Sequence, residues 1–242
     1  MKKRWSMLSF SIPLVVCGGF VLYLFFPRII GNLFPPDPQL FSNPECMLPC
    51  WQGLRVGETT AVELETFLSS DLFYDYGTSQ LTNRVAYGAG RSTGLAEYSV
   101  QANTRNGHLF VVRIQRTNIT LGDGVNHLGA PDHIRLNVVQ NIDSPFAPRM
   151  WSVLEVYYPE QGLIFNIGDV GAEETLNGSY ATVCLEEQAR VLSVVITESG
   201  SIDNLILNGI YFNDVTTEMI DLYRNSLTSW TGFTCVERLI LP

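Results

Sequence analysis

Lysine is almost absent from this sequence. The 242 residues contain only two lysines, Lys2 and Lys3, and both lie at the extreme N-terminus. From residue 29 onward, 11 arginines stand against 24 acidic residues, so this part of the chain carries a formal charge of 11 − 24 = −13. Such an acidic surface repels the phosphate backbone of nucleic acids, which binds to clustered lysine and arginine side chains. The composition therefore predicts no nucleic-acid partner.

Sequence motifs for catalysis are also missing. There is no Gly-x-Ser-x-Gly elbow, so a serine hydrolase would have no nucleophile motif. The glycines of YGAGRSTG, residues 87–94, resemble a phosphate-binding loop, but neither Lys-Ser nor Lys-Thr follows them. We predict a flexible turn there, and we expect neither a cofactor nor catalysis.

One group of metal-binding residue types lies near the end of a predicted helix. It comprises His127, Asp132 and His133, with Asp123 nearby. Imidazole and carboxylate groups bind metals and transfer protons. However, the two histidines are six residues apart with a glycine and a proline between them, which defines no shared helix face. We expect ordinary surface roles, and the alternative is an exported metal-dependent enzyme that uses this cluster.

A long uncharged segment lies close to the N-terminus. Leu8–Phe26 contains no charged residue, and its length is close to the ~20 residues that span the hydrocarbon core of a bilayer. Three positive charges precede the segment and only Arg28 flanks its far side, a bias that keeps the N-terminus cytoplasmic. We predict a single-pass helix in the cell membrane over residues 8–26, with the folded part extracytoplasmic.

Two other fates of this segment remain open. A cleaved signal peptide has a shorter apolar region followed by small residues, whereas Phe25, Phe26, Pro27 and Arg28 follow here. Lipidation would use Cys17, although a lipidated cysteine is normally preceded by a small residue and followed by polar ones. Beyond the segment, five prolines within residues 31–49 indicate a stiff stalk.

Four cysteines follow the predicted membrane helix: Cys46, Cys50, Cys184 and Cys235. An even number of cysteines in an exported chain predicts disulfides, and four-thiolate zinc and free thiols are the alternatives. Three connectivities are possible. We favour Cys46–Cys50 with Cys184–Cys235, because the second bond would close a long loop and hold the last segment in place. The first bond would then brace the point where the stalk becomes the folded part.

Two helix starts have the same form. Thr60 is followed by Glu63 and Thr120 by Asp123, and this spacing predicts capping boxes in which the threonine hydroxyl and the carboxylate bind free backbone N–H groups. Each predicted helix ends at a leucine eight residues on. After the first helix, an Asn-Gly pair at 106–107 lies between alternating apolar runs and predicts a β-hairpin.

Further strands are predicted after the second helix, with a turn at residues 159–162. The predicted fold class is α+β, with an N-terminal transmembrane helix, two helix-plus-antiparallel-sheet repeats side by side, and a C-terminal helix. The predicted divisions are a cytoplasmic tail (1–7), the transmembrane helix (8–26), a proline-rich stalk (27–45), the first repeat (46–117), the second repeat (118–200), and a C-terminal helix with a closing strand (201–242).

The segments CMLPCWQGLRVGETT and TLGDGVNHLGAPDHI resemble uncharacterised, membrane-anchored exported proteins of bacteria, which pair a Cys-x-x-Pro-Cys-Trp-x-Gly opening with a later Leu-Gly-x-Pro-Asp segment. The order of elements is also similar to that of small envelope lipoproteins that assist outer-membrane assembly and to β-lactamase-inhibitor-like modules. The resemblance covers most of residues 46–167 and implies a binding or scaffold module, without catalytic residues. This chain departs from the lipoproteins in lacking a convincing lipid-attachment site.

Together these features predict a membrane-anchored extracytoplasmic binding or scaffold module of the bacterial cell envelope. The membrane would be contacted through the N-terminal helix. The partner of the folded part would be a protein or another envelope component.

Overall fold

Antiparallel β-strands dominate the protein. The computed structural model describes residues 40–41, 46–81, 84–93, 96–141, 149–168, 172–174, 180–207 and 217–239. The helices are α1 (Ala61–Leu68), α2 (Leu121–Leu128), α3 (Ile202–Leu205) and α4 (Thr217–Ser226), with a 3-10 turn at Pro159–Gln161. The first strands are β1 (Cys50–Trp51), β2 (Leu54–Arg55), β3 (Tyr74–Leu81), β4 (Arg84–Thr93), β5 (Ala96–Arg105), β6 (His108–Gln115) and β7 (His133–Asn141). The later strands are β8 (Arg149–Tyr158), β9 (Leu163–Gly168), β10 (Ala172–Glu174), β11 (Tyr180–Cys184), β12 (Val191–Thr197), β13 (Thr228–Ser229) and β14 (Cys235–Leu239).

Nine of the strands form one continuous sheet in the order β13-β7-β8-β9-β12-β6-β5-β4-β3. A three-stranded sheet, β10-β11-β14, and the β1-β2 pair are separate. The predicted fold class was therefore wrong, because the described part of the chain is mostly one large antiparallel sheet with few helices. The prediction failed because β6 and β12 hydrogen-bond to each other, which joins the strands of the two predicted repeats into one sheet.

The membrane helix of the predicted fold class has no counterpart in the described part of the chain. None of the helices described above is both long enough and apolar enough to cross a bilayer. The segment predicted to do so, Leu8–Phe26, lies outside the described residues.

The glycine-rich segment at residues 87–94 is also different from its prediction. We predicted a flexible turn, but Gly88 and Gly90 lie inside β4, and Gly94 lies outside the described residues. This strand pairs along its whole length with β5, from Arg84 opposite Arg105 to Thr93 opposite Ala96. The tertiary pairing outweighs the weak strand preference of glycine.

Local predictions for the helices were confirmed. Thr60 caps α1 and Thr120 caps α2, each in a complete capping box with the acidic residue three positions later. The helices end at Leu68 and Leu128 as predicted. The predicted hairpin is also present, since β5 and β6 pair around a turn at residues 106–107.

The sheet contains two halves with the same hydrogen-bond framework. The first half comprises α1 and β3–β6, and the second comprises α2, β7–β9 and β12. In the first half, Ala61 N donates to Gly107 O at 2.8 Å, and in the second half Leu121 N donates to Ala189 O at 2.8 Å. Each helix therefore begins beside the start of the last strand of its own half.

The halves meet at the β6–β12 pair. Arg113 lies opposite Val195 at the centre, and on either side Val112 lies opposite Ile196 and Ile114 opposite Val194. This register makes the two strands equivalent about an approximate two-fold axis between Arg113 and Val195, so that residues 111–115 of β6 have counterparts in residues 193–197 of β12.

The two faces of the sheet pack against different helices. Face A, which includes Val100, Ile114 and Val194, packs against the leucines of α1 and α2 in the larger apolar core. Face B of the second half, which includes Tyr157, packs against Leu205 of α3 and Tyr223 of α4 in a smaller core.

Two disulfides join the four cysteines in the pairs favoured from the sequence. Cys46 bonds to Cys50, and Cys184 bonds to Cys235, its direct partner across β11 and β14. Immediately after the first bond, the Trp51 side chain is 1% exposed and lies edge-to-face against Phe67 of α1. Two disulfides fit a protein that folds outside the reducing cytoplasm.

Candidate binding groove

An open groove lies over strands β3, β4 and β5. Its volume is about 440 Å³, within the range of ~300–1,000 Å³ that is typical of small-molecule sites. The described residues that line it are Gly77, Thr78, Ser79, Ala86, Tyr87, Gly88, Gln101 and Asn103. None of these carries a charge, in contrast to the acidity of the chain as a whole.

Strand register explains where the groove forms. Directly opposed residues of an antiparallel sheet project to the same face. Two rows therefore share face B in the first half: Gly77, Gly88, Gln101 and Arg113, and Ser79, Ala86, Asn103 and Val111. The two rows are small at their β3 and β4 positions, so the surface is hollow there.

The equivalent rows of the second half contain large side chains. These rows are His133, Tyr157, Ile164 and Val195, and Arg135, Glu155, Asn166 and Ser193. Under the approximate two-fold, Tyr157 is the counterpart of Gly88, Glu155 of Ala86, and Arg135 of Ser79. The space that is empty in the first half is therefore filled by side chains in the second.

These large side chains form a buried hydrogen-bond network. Arg135 Nη1 donates to Glu155 Oε2 at 2.8 Å, and the Tyr157 hydroxyl donates to the same oxygen at 2.7 Å. Arg135 Nε also donates to Ser226 Oγ at 2.8 Å, and its guanidinium lies 3.6 Å from the ring centre of Tyr223. Through Arg135 the network holds α4 against face B.

The electrostatics of the network follow from burial and from the charge of Glu155. Burial opposes the positive charge of Arg135, but the Glu155 charge and hydrogen bond outweigh it and raise the pKa of Arg135. Burial, reinforced by Glu155, raises the pKa of the Tyr157 hydroxyl well above its usual range. Burial also lowers the pKa of Arg113, which the Glu155 charge partly counters. At neutral pH the Tyr157 hydroxyl therefore keeps its proton and remains a donor.

The floor of the groove has glycines where the structure does not require them. A Cβ atom built on Gly77 or Gly88 would meet nothing within 4 Å, and neither residue has a positive φ. An alanine methyl group at either position would project from face B without a clash. Glycine here leaves the groove open, since neither tight packing nor backbone strain accounts for it.

One residue that lines the groove, Asn103, has a buried amide without a partner. Asn103 is 1% exposed, and its Nδ2 has no hydrogen-bond partner among the described residues. Its counterpart Asn166 donates from Nδ2 to Ser193 Oγ at 2.9 Å. In the first half the position of Ser193 is taken by Val111, which offers no acceptor. The sequence difference between Val111 and Ser193 thus leaves one donor of Asn103 unsatisfied, and such a group calls for an explanation.

The histidine cluster is not assembled into a site. His127 lies on α2, beside face A, where its ring stacks on Phe41 at 4.6 Å and its Nδ1 lies 2.9 Å from the Asp123 carbonyl oxygen. His133 shares its row with Tyr157, on face B. Across the described ranges, no three His, Cys, Asp or Glu side chains are placed to hold a metal ion.

The remaining carboxylates of that cluster have local roles. The Asp123 carboxylate accepts hydrogen bonds from Thr120 N and Oγ1, both at 2.8 Å, as part of the α2 capping box. Asp132 is exposed at the approach to β7, where its backbone N–H donates to Tyr157 O at 3.2 Å.

The sequence did not lead us to predict that the lining residues form a groove. The glycines of YGAGRSTG were noticed, but we interpreted them as a turn. Asn103 could not be identified from the sequence, because asparagine is common near a hairpin turn. Whether its amide has a partner depends on the cross-strand register, which the sequence alone does not reveal.

Comparison of the chain with known protein families, with curated proteins and with solved structures found no match. The family resemblance noted in the sequence therefore stays a prediction.

Proposed function

We propose that the folded part is an extracytoplasmic binding module and that the groove over β3, β4 and β5 is its binding site. In this proposal, residues 8–26 anchor the protein in the cell membrane and the proline-rich stalk separates the module from the bilayer. The charge bias around Leu8–Phe26 supports this orientation. The two disulfides support an extracytoplasmic location.

The observation that carries the proposal is the unpartnered amide of Asn103. Leaving a buried donor unsatisfied costs about 1–3 kcal/mol, so folding alone favours an apolar residue there. Nδ2 is almost inaccessible, so the Asn103 side chain would rotate on binding, and a ligand acceptor that then reaches Nδ2 would recover this energy. The glycines that keep the groove open support the same role, because they bring no packing gain to the folded protein.

Binding is favoured over catalysis by the chemistry of the lining. The described lining residues include no carboxylate, imidazole or thiol that could act as a general acid, a general base or a cysteine nucleophile. The Tyr157 hydroxyl, whose pKa burial raises well above its usual range, is enclosed beneath α4 in the other half.

Site-specific photo-crosslinking of the full-length protein in its native envelope tests this proposal. A photoreactive residue at position 101, on the exposed part of the groove, should give a discrete crosslinked product. The same residue at position 62 of α1, where Val62 is 72% exposed, serves as the control for random encounter. Gly88→Leu should fill the groove and remove the product at position 101. Equal products at both positions, or a product that persists in Gly88→Leu, would contradict the proposed site.

A further inference from the structure

The neutral lining of the groove restricts the charge of its ligand. A charged ligand group would lose hydration in the groove without gaining a counter-charge from the described lining residues. Asn103 Nδ2 is almost inaccessible at the floor of the groove, so a rotation of the Asn103 side chain would have to bring it to an acceptor of the ligand. Gln101 and Ser79 are exposed at the groove and can both donate and accept hydrogen bonds. This set suits a neutral ligand rich in hydroxyl or amide groups.

Strand addition to the sheet edge does not satisfy these requirements. Strand β3 is one edge of the nine-stranded sheet, and Asn103 lies on β5, two strands away. With neighbouring strands ~4.8 Å apart, a peptide added beside β3 would have its backbone about 14 Å from β5. Its side chains would not reach Asn103. The ligand must therefore lie across the strands, on face B itself.

An aromatic ring borders the same face. Tyr74 lies so close to Gly90 that a Cβ on this glycine would be 2.6 Å from the ring, and Gly90 follows Gly88 by two positions on face B. The Tyr74 side chain is 41% exposed. Aromatic rings offer flat apolar surface beside polar groups, and such surface packs well against the C–H face of a sugar ring.

Resting on the proposed binding function, we infer that the groove takes a neutral saccharide. The saccharide would lie across β3, β4 and β5, accept a hydrogen bond from Asn103 Nδ2, and exchange hydrogen bonds with Gln101 and Ser79. Neutral sugars carry groups that donate and accept in every direction without net charge, which matches both the neutrality and the amide and hydroxyl content of the lining.

Ligand-observed NMR titration of the full-length protein in phospholipid nanodiscs tests this inference. The probes are maltotriose and chitotriose, two neutral saccharides without and with acetamido groups, and the acidic trimer of galacturonate serves as the charged control. At least one neutral trimer should bind, and the galacturonate trimer should bind more weakly. Asn103→Leu and Gly88→Leu should each weaken binding by about tenfold or more, because one loses the donor and the other fills the groove.

The matched control is Asn166→Leu, which removes the equivalent amide in the second half and should leave saccharide binding unchanged. Unfolding midpoints of each variant separate loss of binding from loss of folding. Absence of binding by both neutral trimers, or unchanged binding in a folded Asn103→Leu variant, would overturn the saccharide inference. A specific crosslink at position 101 without saccharide binding would overturn this inference alone, while absence of both would also remove the proposed function.

Discussion

The two halves of the large sheet share a backbone framework and differ in the size of the side chains on face B. The second half has Tyr157, Glu155 and Arg135 in this position, and α3 and α4 cover them. The first half has Gly88, Ala86 and Ser79 at the equivalent positions, and a groove remains. Strand pairing alone therefore does not decide whether a sheet face becomes core or stays an open groove. Side-chain volume at a few paired positions decides it.

The comparison also distinguishes two uses of polar residues. In the second half, buried polar atoms satisfy one another through the Arg135–Glu155 pair and the Asn166–Ser193 hydrogen bond. In the first half, the equivalent asparagine keeps a buried donor without a partner among the described residues. A satisfied network specifies one packing arrangement, whereas an unsatisfied buried donor costs stability in the folded protein and, in our proposal, gains a partner only from a ligand.

The largest loss of stability is expected when residues of the second half are replaced by their counterparts from the first half. Arg135→Ser or Glu155→Ala leaves the other buried charge without its partner, so each should lower the free energy of unfolding by about 3–5 kcal/mol. The double variant should lose less than the sum of the two single losses, because no unpaired charge remains at this position. Urea unfolding of the four proteins gives the coupling energy.

The control for this cycle is Ser79→Ala in the first half. It changes the counterpart of Arg135 at an exposed position, and its effect should stay within about 0.5 kcal/mol. Strict additivity of the Arg135 and Glu155 substitutions would show that the pair does not act as a unit.

A smaller loss of stability is expected from removal of a disulfide, and the two bonds should differ in how much stability they contribute. Cys184–Cys235 closes a separation of 51 residues, whereas Cys46–Cys50 closes a separation of four. Replacing Cys184 and Cys235 with alanines should lower the free energy of unfolding by about 2–4 kcal/mol, and replacing Cys46 and Cys50 should lower it by about 2 kcal/mol or less. The reason is that a bond closing a longer loop removes more entropy from the unfolded chain. Thermal or urea unfolding of both double variants checks the order. A larger loss from the Cys46–Cys50 pair would mean that its main contribution is local packing around Trp51.

The smallest change in stability is expected from substitution of the two equivalent asparagines. The substitution should destabilise the protein in the second half but not in the first. Asn166→Leu leaves Ser193 without its hydrogen bond and should lower the free energy of unfolding by about 1 kcal/mol. Asn103→Leu removes an unsatisfied buried donor and should leave stability unchanged or raise it. Paired urea titrations without ligand measure both. An equal loss in the two variants would show that Asn103 has a structural role in the folded protein.

Short-range features of the fold were predictable because they depend on neighbouring residues. The capping boxes at Thr60 and Thr120 need only a hydroxyl and an acidic side chain three positions apart. The hairpin at residues 106–107 follows from the positive φ that Asn106 and Gly107 both adopt. Among the three possible connectivities of the four cysteines, loop length favoured the one that the structure has. Strands β3 and β4 were not predicted, because their glycines and small polar residues lack the apolar alternation of a half-buried strand.

By itself, the sequence determined the acidic surface, the helix starts, the main hairpin and the cysteines available for pairing, since each follows from composition or from residues close together along the chain. Only the tertiary structure decided that the two halves form a single sheet, that Gly88 lies opposite Gln101, and that Asn103 has Val111 where Asn166 has Ser193. The physical reason is register: a shift of one residue would turn every side chain of a strand to the other face, and register depends on pairing between distant segments. The groove forms only when these distant segments pair in this register.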